Sequence, residues 1–258
     1  VTVALITGAA RGIGAAVAAA LHADGWQLVL VDICADDPHV PYRLATPDDL
    51  ASVAAATGQS PTVMADVRDI DGLQSAVDLA EERFGRLDAA VAAAGVVIGG
   101  EPAWEMSGES WRTVLDIDLG GVQNLVTAAM PALLRHSHGN GRFVAIASTA
   151  ATKGMPRLAA YNAAKAGVVG LIRGLAADLG GSGVTANAVC PGSTDTDILA
   201  ASAEVYGLQS SKDFADHQPL GRLLRPEEIA ATVAWLCSPA ASAITGAAIP
   251  VDGGMSAT

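Results

Sequence analysis

Three cysteines, three lysines and three tyrosines serve 258 residues. Cys34, Cys190 and Cys237 are odd in number and far apart, and no CxxC pair occurs, so neither a zinc site nor a redox dithiol is suggested. Buried apolar thiols are the expectation. Basic residues are few as well: Lys+Arg is 15 against Asp+Glu 27, a net charge of −12. So acidic a chain has no general attraction for phosphate backbones, and no nucleic-acid partner is expected. No block of one sign suggests a charged tail. No apolar run approaches the roughly 18–20 residues of a membrane span, because Arg, Asp, Gly or His interrupts each candidate. Val1 to Gly8 is too short and uncharged for a secretory signal; the expectation is a soluble, cytoplasmic chain with no membrane partner. His136 and His138 form an H-x-H beside Gly139, Asn140 and Gly141, with no further ligand near in sequence. A solvated helix-end loop is expected there, and no metal site.

What is abundant is apolar: 51% hydrophobic residues against 16% charged, which excludes a disordered chain. Short apolar runs alternate with helix-like stretches almost to the end. The runs are Val3–Thr7, Gln27–Asp32, Thr62–Ala65, Ala89–Ala93, Arg142–Ser148, Thr185–Cys190 and Ala248–Val251. Helical patterns fall at 12–24, 69–84, 107–136, 158–180 and 226–237. Strands apolar on both faces and separated by helices read as a parallel sheet covered on both sides. The expected fold is α/β: a single doubly wound domain over 1–258, with about seven strands. Two segments break the rhythm. Residues 33–60 contain Pro38, Pro41 and Pro47, with a short helical piece near Asp48–Thr57. Residues 193–219 are polar and lack clear periodicity. Loops this long in a compact domain are usually functional or mobile.

The first strand runs into Thr7-Gly8-Ala9-Ala10-Arg11-Gly12-Ile13-Gly14 and then a helix. Glycines let the backbone N–H groups approach a pyrophosphate, and the helix N-terminus adds its positive dipole end. The plain alternative is a turn that serves packing only. Asp32 ends the second strand, 18 residues beyond Gly14. An acidic group there can accept the ribose hydroxyls of NAD and would repel the 2′-phosphate of NADP; otherwise it is a strand-end turn residue. Tyr161 and Lys165 stand four apart on a helix and share a face. An ammonium beside a phenol lowers its pKa from near 10, the tuning that a general acid/base needs. Ser148, 13 residues before Tyr161, ends a strand at the carboxyl edge, as does Pro191-Gly192.

In this order, with Asp66-Val67 and the terminal Val251-Asp252-Gly253-Gly254, the motifs resemble the short-chain dehydrogenase/reductase family over essentially the whole chain. The resemblance implies an NAD-dependent oxidoreductase that interconverts a secondary alcohol and a ketone by hydride transfer. Tyr161 would give or take the proton, Lys165 would tune Tyr161 and hold the nicotinamide ribose, and Ser148 would bond the substrate oxygen. Gly8, Arg11, Gly12, Ile13, Gly14, Asp32, Ile33, Asp66, Val67, Ala93, Ala94, Gly95, Tyr161, Lys165, Pro191, Gly192, Thr194 and Thr196 would line the cofactor.

Two departures stand out. Where the family carries Asn-Asn-Ala-Gly, this chain has Ala92-Ala93-Ala94-Gly95, and the family's catalytic Asn aligns with Asp118. An ionised Asp118 would favour charged Lys165 and alter activity. Asp32 to Asp66 spans 34 residues, longer than the family's usual connection, and the insertion at about 33–60 resembles that of the mycofactocin-coupled, carveol-dehydrogenase-like subgroup. That resemblance implies a nicotinamide held in place and re-oxidised by a mycofactocin redox partner; otherwise the insertion is a surface loop. Residues 193–219 resemble the family's substrate lid, with Ile198, Leu199, Tyr206, Leu208 and Phe214 either touching an apolar substrate or packing on one another. The helix Ala159–Gly180 and the apolar C-terminus resemble subunit interfaces, which implies a homotetramer. A 3-oxoacyl-thioester (acyl-carrier-protein) reductase and a non-catalytic NAD-binding regulator are the competing functions.

Overall fold

A computed structural model describes residues 1–136 and 140–257. Seven strands form one parallel sheet: β1 (Val3–Thr7), β2 (Gln27–Asp32), β3 (Thr62–Met64), β4 (Ala89–Ala92), β5 (Arg142–Ile146), β6 (Thr185–Pro191) and β7 (Ala248–Val251). The order across the sheet is β3-β2-β1-β4-β5-β6-β7. The helices are α1 (Gly12–Ala23), α2 (Pro47–Ala56), α3 (Ile70–Phe84), α4 (Gly108–Leu115), α5 (Gly121–His136), α6 (Ala159–Asp178), α7 (Asp197–Val205) and α8 (Pro226–Cys237).

Alternation along each strand explains the layers. Val3 and Leu5 of β1 pack on one face with Leu73, Val77, Leu125 and Ile172 from α3, α5 and α6. Ala4 and Ile6 pack on the other with Val17, Leu21, Ile229 and Val233 from α1 and α8. Both faces being covered, every β1 residue must be apolar or satisfied, and all five are buried. The chain reverses direction across the sheet at β1, whose neighbours are β2 and β4. That switch point opens a crevice at the carboxyl ends of the strands, where the motif residues converge.

Three expectations are refined or changed. The stretch 107–136 is helical as expected but not α throughout: a π-turn, Asp116–Gly120, joins α4 to α5. Residues 193–219 are not irregular throughout: α7 forms within them, started by the Thr196 hydroxyl accepting the Leu199 N–H at 3.4 Å, and a 3₁₀ stretch follows at Ser211–His217. The run Gly108–His136 is also long and apolar enough to cross a membrane by length and composition, contrary to the sequence expectation. In this fold 61% of its apolar window is buried against protein, as in a core helix. His136 ends α5 with Nε2 at 2.7 Å from Glu81 Oε1, while His138 lies outside the described residues.

The layers predict where substitutions hurt. Leu30 of β2 is fully buried, whereas Met64 on the edge strand β3 is 66% exposed. Leu30→Ala should cost about 2–5 kcal/mol in chemical denaturation. Met64→Ala should stay within about 0.5 kcal/mol of the parent.

Candidate active site

A cleft of about 600 Å³ opens at the carboxyl edge of the sheet. Nearly every residue singled out in the sequence lines it: Gly8, Arg11, Gly12, Ile13 and Gly14; Asp32 and Ile33; Asp66 and Val67; Ala93, Ala94 and Gly95; Ser148, Tyr161 and Lys165; Pro191, Gly192, Thr194 and Thr196. Asp118 is the exception. It is fully buried behind Lys165.

The glycine turn is shaped by close backbone approach. Gly8 has φ +66°, and a Cβ there would meet the Ala94 nitrogen at 2.6 Å. At Gly14 a Cβ would meet the Gly8 carbonyl oxygen at 2.0 Å. The turn is thus folded onto itself and onto the loop after β4. No side chain caps the N-terminus of α1, and no acidic residue lies in its first turn. Gly12, Ile13 and Gly14, which begin α1, line the cleft, and an uncapped helix N-terminus of this kind suits an anion. Asp32 does two jobs at once: its carboxylate accepts the Ala10 N–H at 3.0 Å and the Cys34 N–H at 3.4 Å, and it lines the cleft.

Ser148 follows β5, and its hydroxyl accepts the Ala150 N–H at 3.1 Å. From α6, the Lys165 ammonium lies 5.5 Å from the centre of the Tyr161 ring and donates to the Ile146 carbonyl at 3.3 Å. The same ammonium is 3.1 Å from Asp118 Oδ2. Asp118 Oδ1 accepts the Val96 N–H at 2.8 Å. Burial raises the Tyr161 pKa; Lys165 and Ser148 pull it down and Asp118 pushes it up, so the net shift is upward. This corrects the sequence reading, in which Lys165 alone set the direction. Burial opposes the Lys165 charge most strongly, but Asp118, Tyr161 and Cys190 together outweigh it and hold the ammonium up. Burial also raises the Asp118 carboxyl against the pull of Lys165. All three cysteines are buried, and burial lifts the Cys34 thiol to about 11 and the Cys237 thiol to about 12, which keeps both protonated and inert.

The loop that lacks the family's asparagines is held by other means. The Thr7 hydroxyl accepts the Ala93 N–H at 3.3 Å, Asp118 takes Val96, and the Tyr42 hydroxyl accepts the Val97 N–H at 2.9 Å. Tyr42 belongs to the first irregular segment, whose residues 33–46 form a strap along the cleft. The strap is pinned at several points. Asp37 receives Arg68 at 2.6 Å, and Arg68 Nε is 2.9 Å from Asp66 Oδ2. Burial opposes ionisation of Asp37, but the His39 N–H and Arg68 hold its carboxyl below the usual range. Arg11 Nη1 donates to the Arg43 carbonyl at 3.0 Å and also lies 3.0 Å from Asp197 Oδ2, so one guanidinium ties the strap to α7.

Sequence reading named no strap residue beyond Ile33 as a cofactor contact, yet Asp37, Leu44 and Ala45 line the cleft. It also missed Met155, Leu158, His217 and Met255. These sit on irregular segments or helix ends, where no periodicity marks an inward face. Ile198, Leu199, Tyr206, Leu208 and Phe214 all line the cleft. They also pack on one another: the Tyr206 and Phe214 rings meet edge to face at 5.9 Å, and the Tyr206 hydroxyl donates to the Pro156 carbonyl at 2.7 Å. These side chains therefore pack on one another and line the cleft at the same time.

Comparison with known proteins follows the same residues. A family model described as enoyl-(acyl carrier protein) reductase matches residues 8–256. An oxidoreductase of Mycobacterium tuberculosis is 39% identical, over 98% of this chain and 95% of its own. Cis-4-hydroxycyclohexanecarboxylate dehydrogenase of Sinomonas cyclohexanicum is 38% identical, over 99% and 96%. Carveol dehydrogenase from Mycobacterium avium, solved in complex with NAD, superposes with a TM-score of 0.93 at 32% identity, covering 100% of this chain and 98% of that one. These matches run along nearly the full length of the chain, and the chain belongs to the short-chain dehydrogenase/reductase family.

Proposed function

We propose that the chain is an NAD-dependent oxidoreductase that interconverts an uncharged, apolar secondary alcohol and its ketone. The observation that carries this reading is one cleft with two chemistries. The uncapped α1 N-terminus and the Asp32 carboxylate lie towards one end, and Ser148, Tyr161 and Lys165 converge at the other. The residues fit a dinucleotide. Glycines keep the turn free of Cβ atoms, the helix end suits the pyrophosphate, and Asp32 suits ribose hydroxyls and disfavours a 2′-phosphate.

The nicotinamide, when bound, supplies or accepts the hydride. The protein supplies the rest. Tyr161 donates the proton to the carbonyl oxygen in reduction and takes it from the hydroxyl in oxidation. Ser148 hydrogen-bonds that oxygen and fixes its position. Lys165, anchored by the Ile146 carbonyl and Asp118, is held in place beside Tyr161. The substrate end is walled by Met155, Leu158, Ile198, Leu208 and Phe214. Arg11 and Lys165, the cleft's Arg and Lys, each already sit against a carboxylate, which leaves neither for a charged substrate.

The strap adds a second part to the proposal. Pinned to Arg68, Val97 and Arg11, residues 33–46 cover the Asp32–Asp66 side of the cleft. Such a cover slows cofactor exchange and supports a held nicotinamide turned over by a redox partner such as mycofactocin. We place the whole activity on one domain, with strap and lid as its covers. A homotetramer is supported by the exposed small residues Ala166, Gly170 and Gly174 along α6 and by Trp111, 39% exposed on α4.

Tyr161→Phe tests the chemistry. Turnover of a secondary alcohol should fall by about 10²–10⁴-fold while nucleotide binding persists. Undiminished turnover would contradict the Tyr161 role, and a wild type that binds NAD but turns over no alcohol or ketone would favour the regulator. The strap gives a separate expectation. Arg68→Ala removes a charged bond worth about 1.5 kcal/mol, so bound nucleotide should leave about tenfold faster in a stopped-flow chase. An unchanged release rate would assign the strap no part in retention.

A further inference from the structure

Asp118 stands where the family pattern has a neutral asparagine, and the structure gives that difference a physical consequence. The π-turn Asp116–Gly120 turns the carboxylate inward, where it is fully buried. One oxygen is held by the Val96 N–H at 2.8 Å and the other lies 3.1 Å from the Lys165 ammonium. The contact lies beside Gly95, where a Cβ would stand 3.2 Å from Lys165 Nζ and 3.3 Å from Asp118 Oδ2. Either charge alone in so dry a place would be costly. Whether the proton rests on nitrogen or is shared, an Asp–Lys pair with one proton on the lysine or one on the acid has no net charge.

We infer that Asp118 is a positioning residue that cancels the charge of Lys165 at the Tyr161 phenol, so that this chain keeps Tyr161 a proton donor at neutral pH and oxidises alcohols fast only at alkaline pH. The inference rests on the proposed acid/base role of Tyr161. An isolated ammonium 5.5 Å from the ring would favour phenolate. Paired with a carboxylate, it loses most of that effect, and burial then dominates. The direction of the Tyr161 shift, upward from burial with Lys165 and Asp118 acting in opposite senses, agrees. The other ionisable groups facing this cluster do not restore a positive field. Tyr42 from the strap feels both Asp118 and Tyr161, and burial keeps it a phenol. Cys190, at the end of β6, is raised by burial and stays a thiol. Arg11 acts on Tyr42 but is paired with Asp197, and Arg173 reaches only Cys190.

Two measurements on Asp118→Asn test this. The first is an ultraviolet titration of tyrosinate in the free protein, with the Tyr161→Phe protein subtracting Tyr42 and Tyr206. The second is the pH profile of kcat for alcohol oxidation with NAD bound. Loss of the carboxylate should lower the Tyr161 midpoint by about one pH unit or more and move the acid limb with it. Below that limb the variant should then oxidise alcohol about tenfold faster than the parent. Asp118→Ser makes the same charge change if the Asn variant does not fold. An unmoved midpoint overturns the inference, including the case where the rate falls equally at every pH, which marks a merely structural role. Turnover surviving in Tyr161→Phe overturns the functional reading beneath it. Turnover lost in Tyr161→Phe with an unmoved Asp118→Asn midpoint overturns only the role of Asp118.

Discussion

The contact between Lys165 and Asp118 ties helix α6 and the π-turn to the end of β5 and the loop after β4. Two fully buried charges need each other, because removing either strands the other in a dry interior at a cost of about 3–5 kcal/mol. Their partners extend the constraint. Lys165 reaches the Ile146 carbonyl at the end of β5, and Asp118 takes the Val96 N–H in the loop after β4. Helix α6, the π-turn and two central strands are therefore registered at one point. Gly95 must stay small beside it, and Gly8 must stay small beside the neighbouring Ala94. The glycine turn is thus linked to the Tyr161–Lys165 pair through a few close contacts.

Around that centre, residues of 33–46 and of 193–219 line the cleft. Arg11 belongs to the glycine turn, yet its guanidinium holds the strap by the Arg43 carbonyl and α7 by Asp197. A residue at the phosphate end is therefore in contact with both covers. Tyr42 carries the strap further, to the Val97 N–H, and packs against the hydrophobic cluster that includes Tyr161 and Ile198. The insertion is part of the site wall as well as a surface feature.

What the sequence made legible follows from local physics. The bounds of β1, β2 and β7 were read as they stand, since strands apolar on both faces announce themselves. Glycines, Asp32, Ser148, Tyr161 and Lys165 were found because their spacing and their strand-to-helix context carry the chemistry. The π-turn was hidden: Asp116-Ile117-Asp118-Leu119-Gly120 reads as helix, and one widened turn leaves no compositional mark. The strap's pins were hidden for another reason. Tyr42 meets Val97 and Asp37 meets Arg68 across 55 and 31 residues of sequence, contacts that only the folded sheet brings together. The upward shift of Tyr161 likewise depends on burial and on a carboxylate from another element.

The central claim, an oxidoreductase that keeps a nicotinamide dinucleotide under a pinned strap, can be read from the protein itself. Extensively desalted protein should be denatured and any released nucleotide identified by mass spectrometry. Near-stoichiometric NAD or NADH is the expected result. A protein that emerges empty, or that carries NADP, would contradict the retained-NAD reading of Asp32 and the strap.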